Sequence, residues 1–325
     1  MDELLEKIIY RSILKNATDV HLILRKELKV CLRIYGVLMD YDTFESEMGM
    51  KLMNFIKYRS SIHSNYRLLP QTGHFKLIIQ KKLYYFRVSY LPTLEFESIV
   101  IRILNNHDIL KIEQLTPQKE IQSYLYWLTQ QKNGLFLISG ATGSGKSTTL
   151  YTLLKEISLG GKKNIITIED PIEVYLEDCL QVEFNDKLGI TYEQTLKQIL
   201  RHDPDVIMIG EIRDELTAKI AVTCALTGHL VLTTIHASSA PLSLKRLMNL
   251  NVKDIDIIDV VIGVMSQQIH YFPLNKEVIM ISELLNKQQI QSYIEKGEVD
   301  YLDFCQQAQK LVDEGYTKEL LKEVM

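Results

Sequence analysis

The hydrophobic and polar positions of the chain change rhythm about a third of the way along. Up to about residue 104 the apolar runs are short. A helical start is followed by strand-like His21–Leu24 and Val30–Ile34, separated by the mostly polar Arg25–Lys29, and then by a helical stretch from Glu47 to Arg59. His74–Ile79 and Leu83–Val88 flank the polar turn Gln80-Lys81-Lys82 and predict a hairpin, and Ser98–Leu104 supplies another strand. These elements predict a small α+β module over residues 1–104. Asn105–Asp108 reads as a hinge opening a linker over residues 105–116. From Thr116 onward helical and apolar strand patterns alternate, the signature of βαβ units around a parallel sheet, so 117–325 is predicted to be an α/β domain. After Lys253 the pattern is weaker: strand-like Val278–Ile281, then helical stretches near 287–296, 301–311 and 317–324, whose apolar stripes predict packing on the second domain.

Composition narrows the class without specifying an activity. The 325 residues are 46% hydrophobic and 24% charged, proportions of ordinary globular domains. A formal net charge of −4 supplies no overall basic field, so direct nucleic-acid binding is not expected. Cys31, Cys179, Cys224 and Cys305 form no C-x-x-C pair, which argues against zinc and predicts buried thiols in a reducing compartment. No apolar run approaches the roughly 18 residues of a membrane span, and Met1-Asp2-Glu3 is unlike a signal peptide, so a cytoplasmic location is expected.

The most informative segment is Gly140-Ala141-Thr142-Gly143-Ser144-Gly145-Lys146-Ser147, followed by Thr148. It stands between the apolar run Leu135–Ile138 and a helical pattern over Thr148–Ile157, as a phosphate-binding loop must. Glycines let backbone N–H groups curl around phosphates, Lys146 can reach the β and γ oxygens, and the Ser147 hydroxyl can complete a Mg²⁺ shell. The loop predicts binding of ATP or GTP.

Three further clusters belong to the same domain. Ile165–Glu173 is an apolar strand delivering Glu169 and Asp170 into a turn at Pro171; carboxylates there lie at the ligand-binding edge of a parallel sheet, which makes Glu169 the candidate general base. Asp205–Asp214 is a second apolar strand ending in Gly210-Glu211-Ile212-Arg213-Asp214. Glu211 can hold the Mg²⁺ shell beside Ser147, Arg213 and Asp214 can make a subunit contact, and Asp205 reads as structural. Thr227–His236 carries a histidine at each end of a strand; of the two, His229 is the expected phosphate sensor.

These four segments, in this order and spacing, resemble the secretion-ATPase superfamily that powers type II secretion, type IV pili and competence pseudopili. The first domain matches as well, through Ala17–His21 with Arg33–Gly36, Arg67–Gly73, Arg87–Ser89, and Pro92-Thr93 followed by Ile101–Leu104. The resemblance implies a PAS-like N-terminal α+β domain, a linker and a C-terminal RecA-like ATPase domain, assembled as a homo-hexameric ring. It further implies that Arg87 and Arg102 stabilise transition-state charge on the γ-phosphate, and that ATP and Mg²⁺ are used to work on an inner-membrane platform protein from the cytoplasmic side. The chain's length, and its lack of a tetracysteine element, point to the Gram-positive competence branch. Departures from the family pattern are Gln268, where assembly ATPases commonly carry arginine, His74 in the Thr72-Gly73-His74 turn, and Phe96 before Glu97.

A transporter-type signature is missing, and Asn275-Lys276-Glu277-Val278 and Asn286-Lys287-Gln288-Gln289 lack the aspartate that reads guanine. Other readings compatible with the same core are a pilus retraction motor, a DNA-translocating ring ATPase, and a nucleotide-gated scaffold with little turnover.

Overall fold

The computed structural model describes the chain apart from residues 35–36, 64–68, 105–108, 162, 171, 184–191, 273–276 and 325; the side chains of 192, 193, 277 and 323 are also left aside. The expected hinge Asn105–Asp108, Pro171, and parts of the two motifs around Gly36 and Arg67 therefore lie outside the described residues. The chain divides into two compact units, Met1–Asp108 with Glu173–Tyr175, and Ile109–Ile172 with Leu176–Met325.

The first unit runs α1 (Asp2–Leu14), β1 (Ala17–Leu24), β2 (Glu27–Ile34), β3 (Val37–Glu45), α2 (Ser46–Arg59), β4 (Gln71–Ile79), β5 (Lys82–Pro92) and β6 (Glu97–Ile103). The strands form an antiparallel sheet in the order β3-β2-β1-β6-β5-β4. Inward positions of alternating strands (Val20, Leu22, Phe86, Val88, Ile99, Ile101) meet the helix faces carrying Leu5, Ile9, Leu52, Met53 and Ile56. Phe86 stacks on Phe75 with ring centroids 4.8 Å apart; burying such a ring stabilises the unit by about 2–3 kcal/mol. Two turns are tighter than the polarity pattern predicts. Arg25-Lys26 alone joins β1 to β2, and Gln80-Lys81 alone joins β4 to β5, both with positive φ (50° and 66°), the geometry whose twist matches a two-residue hairpin. β3 escapes the pattern because it is an edge strand with Val37, Leu38 and Met39 all exposed, so no alternation marks it.

The second unit continues with α3 (Ile112–Leu115), α4 (Lys119–Thr129), β7 (Gly134–Ser139), α5 (Lys146–Leu159), β8 (Ile165–Glu169), β9 (Leu180–Glu183), α6 (Tyr192–Leu200), β10 (Val206–Ile212), α7 (Glu215–Leu226), β11 (Leu230–Ile235), α8 (Ala240–Asn249), α9 (Asp254–Val260), β12 (Val261–Phe272), β13 (Glu277–Asn286), α10 (Lys287–Lys296), α11 (Phe304–Asp313) and α12 (Glu319–Val324). Its sheet has the order β13-β12-β7-β11-β10-β8-β9, parallel throughout except for the β12–β13 hairpin. β7, β8 and β11 are buried along their whole length, which is why they read as unbroken apolar runs. The expected linker residues Ile109–Thr116 group with this unit, and Ile112 and Leu115 are buried in it. α10 begins at an Asn286 cap and ends at Gly297 with φ 79°. Among the thiols, Cys31, Cys179 and Cys224 are buried but Cys305 is exposed, against expectation, because the buried face of α11 carries Phe304, Ala308 and Leu311 instead. Among the described residues no helix is long and apolar enough to cross a membrane.

Candidate functional site

β7 lies between β12 and β11, and its C-terminal end opens into the phosphate loop. The turn from strand to helix needs glycine at two points. Gly140 has φ 143° and a Cβ there would stand 2.5 Å from the Gln267 backbone oxygen; Gly145 has φ 83° and a Cβ there would stand 2.7 Å from Ile269 Cδ1. Both obstructions come from β12, which braces the loop from one side. Gln267, fully buried, donates from Nε2 to the Ser144 carbonyl at 2.5 Å and accepts at 3.1 Å from Thr149 Oγ1 in the first turn of α5. Gln267 was not legible as a site residue: only its neighbour Gln268 stood out, and Gln268 sits opposite Ile281 in the hairpin.

Lys146 opens α5, and its ammonium donates to the carbonyls of Gly140 (2.9 Å) and Ala141 (2.8 Å). No acidic residue occupies the first turn of α5, so the positive end of the helix dipole is left to an anion. Ala141, Thr142, Gly143 and Thr148 are exposed at the loop's outer side, and Ser144 is buried behind it.

Parallel strands deliver the other candidates to the same edge. Glu169 ends β8 and is only 3% exposed; its carboxylate accepts from Thr167 Oγ1 at 2.6 Å, from Gln181 Nε2 at 3.0 Å and from the Tyr151 hydroxyl of α5. Those donors fix its orientation. Glu211 lies in an irregularity of β10, where Ile209 pairs with Thr233 but Ile212 already pairs with Ile235. An extra residue of this kind re-aims a side chain at a strand end. One Glu211 oxygen meets His236 Nε2 at 2.9 Å and the other Arg213 Nε at 2.9 Å, while Arg213 Nη1 reaches Asp170 at 3.0 Å. The Glu211 hydrogen bond and carboxylate charge push the Arg213 guanidinium's pKa further up. Arg213 is thus engaged within the unit, and Asp214 caps α7 by accepting from the Thr217 N–H. Asp205 accepts from the Asn164 N–H at 2.7 Å, a structural role as expected.

Strand direction places His229, the expected sensor, away from the phosphate loop. β11 runs parallel to β7 with Leu230 beside Gly134 and Ile235 beside Ser139, so His229 sits at the far end of the sheet and His236 at the phosphate end, roughly 20 Å apart at the rise of a strand. There His229 Nδ1 contacts the Cys224 carbonyl and Thr227 Oγ1, both at 3.0 Å, while its carbonyl accepts from the Gly134 N–H. The rule that placed Glu169 at the ligand edge, strand direction, applies equally to His236.

The fit of Mg²⁺ rests on donor chemistry: the Ser147 hydroxyl and the Glu211 carboxylate are oxygen donors of the kind this ion takes, and each Glu211 oxygen, with one described partner, keeps a second lone pair.

In the first unit, Arg87 and Arg102 fall directly opposite each other on β5 and β6. The register extends the row: Arg33, Asp19, Arg102, Arg87 and His74 stand side by side across β2, β1, β6, β5 and β4. Buried Asp19 accepts from Arg102 Nε at 2.8 Å and from Thr18 Oγ1 at 2.8 Å. Three arginines and a histidine against one carboxylate make this row a cationic stripe. Arg33 and His74 become members only through strand register. The other departure, Phe96, lies under the Arg25 guanidinium, 4.5 Å from ring centre.

A phosphate loop on an interior strand of a mostly parallel sheet, with two acids and a histidine at the same edge, defines a RecA-like P-loop nucleotide-binding protein. The family model described as "Type II/IV secretion system protein" matches residues 1–313, and the chain belongs to that family. It is 36% identical over 270 residues to the competence protein ComGA of Bacillus subtilis strain 168, covering 83% of this chain and 76% of that one. It is 38% identical over 265 residues to ComGA of Halalkalibacterium halodurans, covering 81% and 76%. Type II secretion system protein E of Pseudomonas aeruginosa is 36% identical over 268 residues, 82% of this chain and 53% of that one. Among solved structures, the pilus retraction motor PilT with bound ADP superposes with a TM-score of 0.78, with 25% identity over 98% of this chain and 96% of that one.

Proposed function

We propose that this chain is a Mg²⁺-dependent ATPase, working as a homo-hexamer, whose turnover drives assembly of a competence pseudopilus by acting on a membrane platform protein from the cytoplasmic side. The observation that carries the ATPase reading is the convergence of the phosphate loop, Glu169, Glu211 and His236 on one edge of one sheet. Identity of 36% and 38% to two ComGA proteins, against 25% to a retraction motor, supports the assembly direction.

In this reading the loop amides and Lys146 bind the β and γ phosphates, with Lys146 exchanging its two carbonyl partners for phosphate oxygens. Glu169 receives the proton of the attacking water, with Thr167, Gln181 and Tyr151 holding the carboxylate in place. Ser147 and Glu211 would hold Mg²⁺, which would supply positive charge to offset that of the phosphates. His236 reads the state of the phosphates through its contact with Glu211. Arg87 and Arg102 keep the role that the resemblance implies for them, charge stabilisation at the γ-phosphate.

The test is ATPase rate against protein concentration, with particle size measured in parallel, for wild type and Lys146→Ala. Specific activity that rises as rings form and vanishes in the variant is the expected result. Rings that bind ATP with Mg²⁺ but do not turn it over, even with a membrane platform protein supplied, would refute the motor reading.

A further inference from the structure

One buried carboxylate of the second unit has no part in that chemistry. Glu283 lies on β13 and is 1% exposed. Strand register places it opposite Ser266 of β12, which stands beside Ser139 of β7, which stands beside Ile235 of β11. Glu283 thus shares a cross-sheet row with the residue before Gly140 and the residue before His236, two and three strands away, or roughly 10 and 15 Å at ordinary strand spacing.

Two helices begin on this carboxylate. The N–H of Ala240, first residue of α8, donates to Glu283 Oε1 at 2.5 Å, and the N–H of Phe304, first residue of α11, faces the same carboxylate. Each helix has a capping side chain, but Ser239 accepts from Leu242 and Asp303 from Gln306, leaving the first amide of each helix to Glu283. Ala240 is fully buried and Phe304 8% exposed, so without this acceptor two amides would stand unpaired in the interior. α8 passes the constraint on. Ser243 Oγ, one turn along, donates to Ser139 Oγ at 2.8 Å, at the root of the phosphate loop. At that same N-terminal end α8 is joined to β11 by residues 236–239, which begin with His236.

We infer that Glu283 is a positioning residue: by holding the first turns of α8 and α11 together it sets both the His236 segment and the root of the phosphate loop, and makes the C-terminal helix α11 a mechanical part of the nucleotide site. The inference rests on the ATPase reading above for its effect on turnover, but its structural half stands without it. An apolar residue would pack β13 with less desolvation cost. A carboxylate is the side chain that can serve two helix N-termini at once, each favouring negative charge.

The experiment compares wild type, Glu283→Gln and Ser243→Ala, all as the full chain. Backbone hydrogen–deuterium exchange is followed over segments 236–247 and 300–312, alongside kcat and KM for MgATP and a directly measured ATP affinity. For Glu283→Gln, exchange should rise about tenfold or more in both segments while the central strands keep their protection, and kcat should fall about tenfold to a hundredfold, the usual cost of a slightly misplaced catalytic group, with ATP affinity nearly kept. Ser243→Ala cuts the link to Ser139 and the hydroxyl's bond to the Ser239 carbonyl within α8, and leaves Glu283 in place. It should reproduce part of the kcat loss without loosening 300–312, and decides the matter if Glu283→Gln fails to fold. Unchanged exchange in both segments, or an active wild type whose two variants match its kcat, would overturn the inference. A wild type without turnover would sink the ATPase reading instead, and the exchange pattern would still decide whether Glu283 joins the two helices.

Discussion

Gln267 offers the sharpest test of how β12 supports the phosphate loop. Replacing it with methionine keeps the length and most of the volume but removes both polar contacts, one to the Ser144 carbonyl at 2.5 Å and one from Thr149 Oγ1 at 3.1 Å. Both partners lie in the interior, Thr149 fully buried and Ser144 6% exposed. A buried polar group stripped of its partner costs about 1–3 kcal/mol, and Thr149 keeps a weak contact with Met280 Sδ at 3.9 Å, so the sum is about 3 kcal/mol. For a unit of this size that lowers Tm by about 6–12 °C. The Ser144 carbonyl, no longer anchored, lets the following amides turn from their phosphate-facing orientation, and an added loss of about 1.4 kcal/mol there weakens ATP about tenfold. Thermal unfolding by circular dichroism and titration with a fluorescent ATP analogue measure the two effects. Gln268→Met, one residue along and outside this pair of contacts, is the control. A Gln267→Met protein that melts within about 2 °C of wild type and binds ATP within about twofold would refute the claim that β12 holds the loop.

Gly140→Ala puts a Cβ 2.5 Å from the Gln267 backbone oxygen at a φ of 143°, a backbone region kept by glycine, so ATP affinity should fall by well over about tenfold with little change in far-UV circular dichroism; calorimetric titration decides. Arg102→Ala leaves buried Asp19 with the Thr18 hydroxyl as a side-chain donor and should destabilise the first unit by about 1–2 kcal/mol in urea, moderated by the exposure of Arg102; adding Asp19→Asn should recover most of it, and a double variant no better than the single would refute the pairing. Burial raises the Glu283 carboxyl from an ordinary 4.5 to about 7, partly offset by the Ala240 and Phe304 amides, with Asp303 facing it and adding to the rise and Tyr301 also within its field. The folded value exceeds the unfolded one, so the stability linked to its protonation is complete below about pH 4.5 and is lost as pH climbs through 7, by up to about 3 kcal/mol. The melting temperature of Glu283→Gln relative to wild type should therefore rise between pH 5 and 8; parallel curves would contradict it.

What was legible in the sequence is what neighbouring residues decide among themselves. The phosphate loop is contiguous, and its glycines, lysine and hydroxyl do their work within one turn of the chain. Helices α2 and α10 show their apolar stripe, and β7, β8 and β10 carry their acids or glycines at the end where the strand stops. β12 was illegible because its first half, up to Gln267, is largely buried on both faces and continues directly from α9 without a break in apolar character.

The rest depends on which strands become neighbours. Gln267 meets Ser144 across 123 residues, and Ser243 meets Ser139 across 104. His229 and His236 are equivalent as letters at the two ends of one strand; the parallel pairing of β11 with β7 sends one to the phosphates and the other to the opposite edge. The cationic row of the first unit is likewise a product of register, since one residue of slip would turn Arg33, Arg102 or Arg87 to the other face. Sequence alone determined the nucleotide chemistry and the family, because those reside in local backbone geometry and in the order of motifs. Tertiary structure decided which side chains brace that chemistry, because a buried polar group takes its partner from whatever the sheet order brings within hydrogen-bond reach.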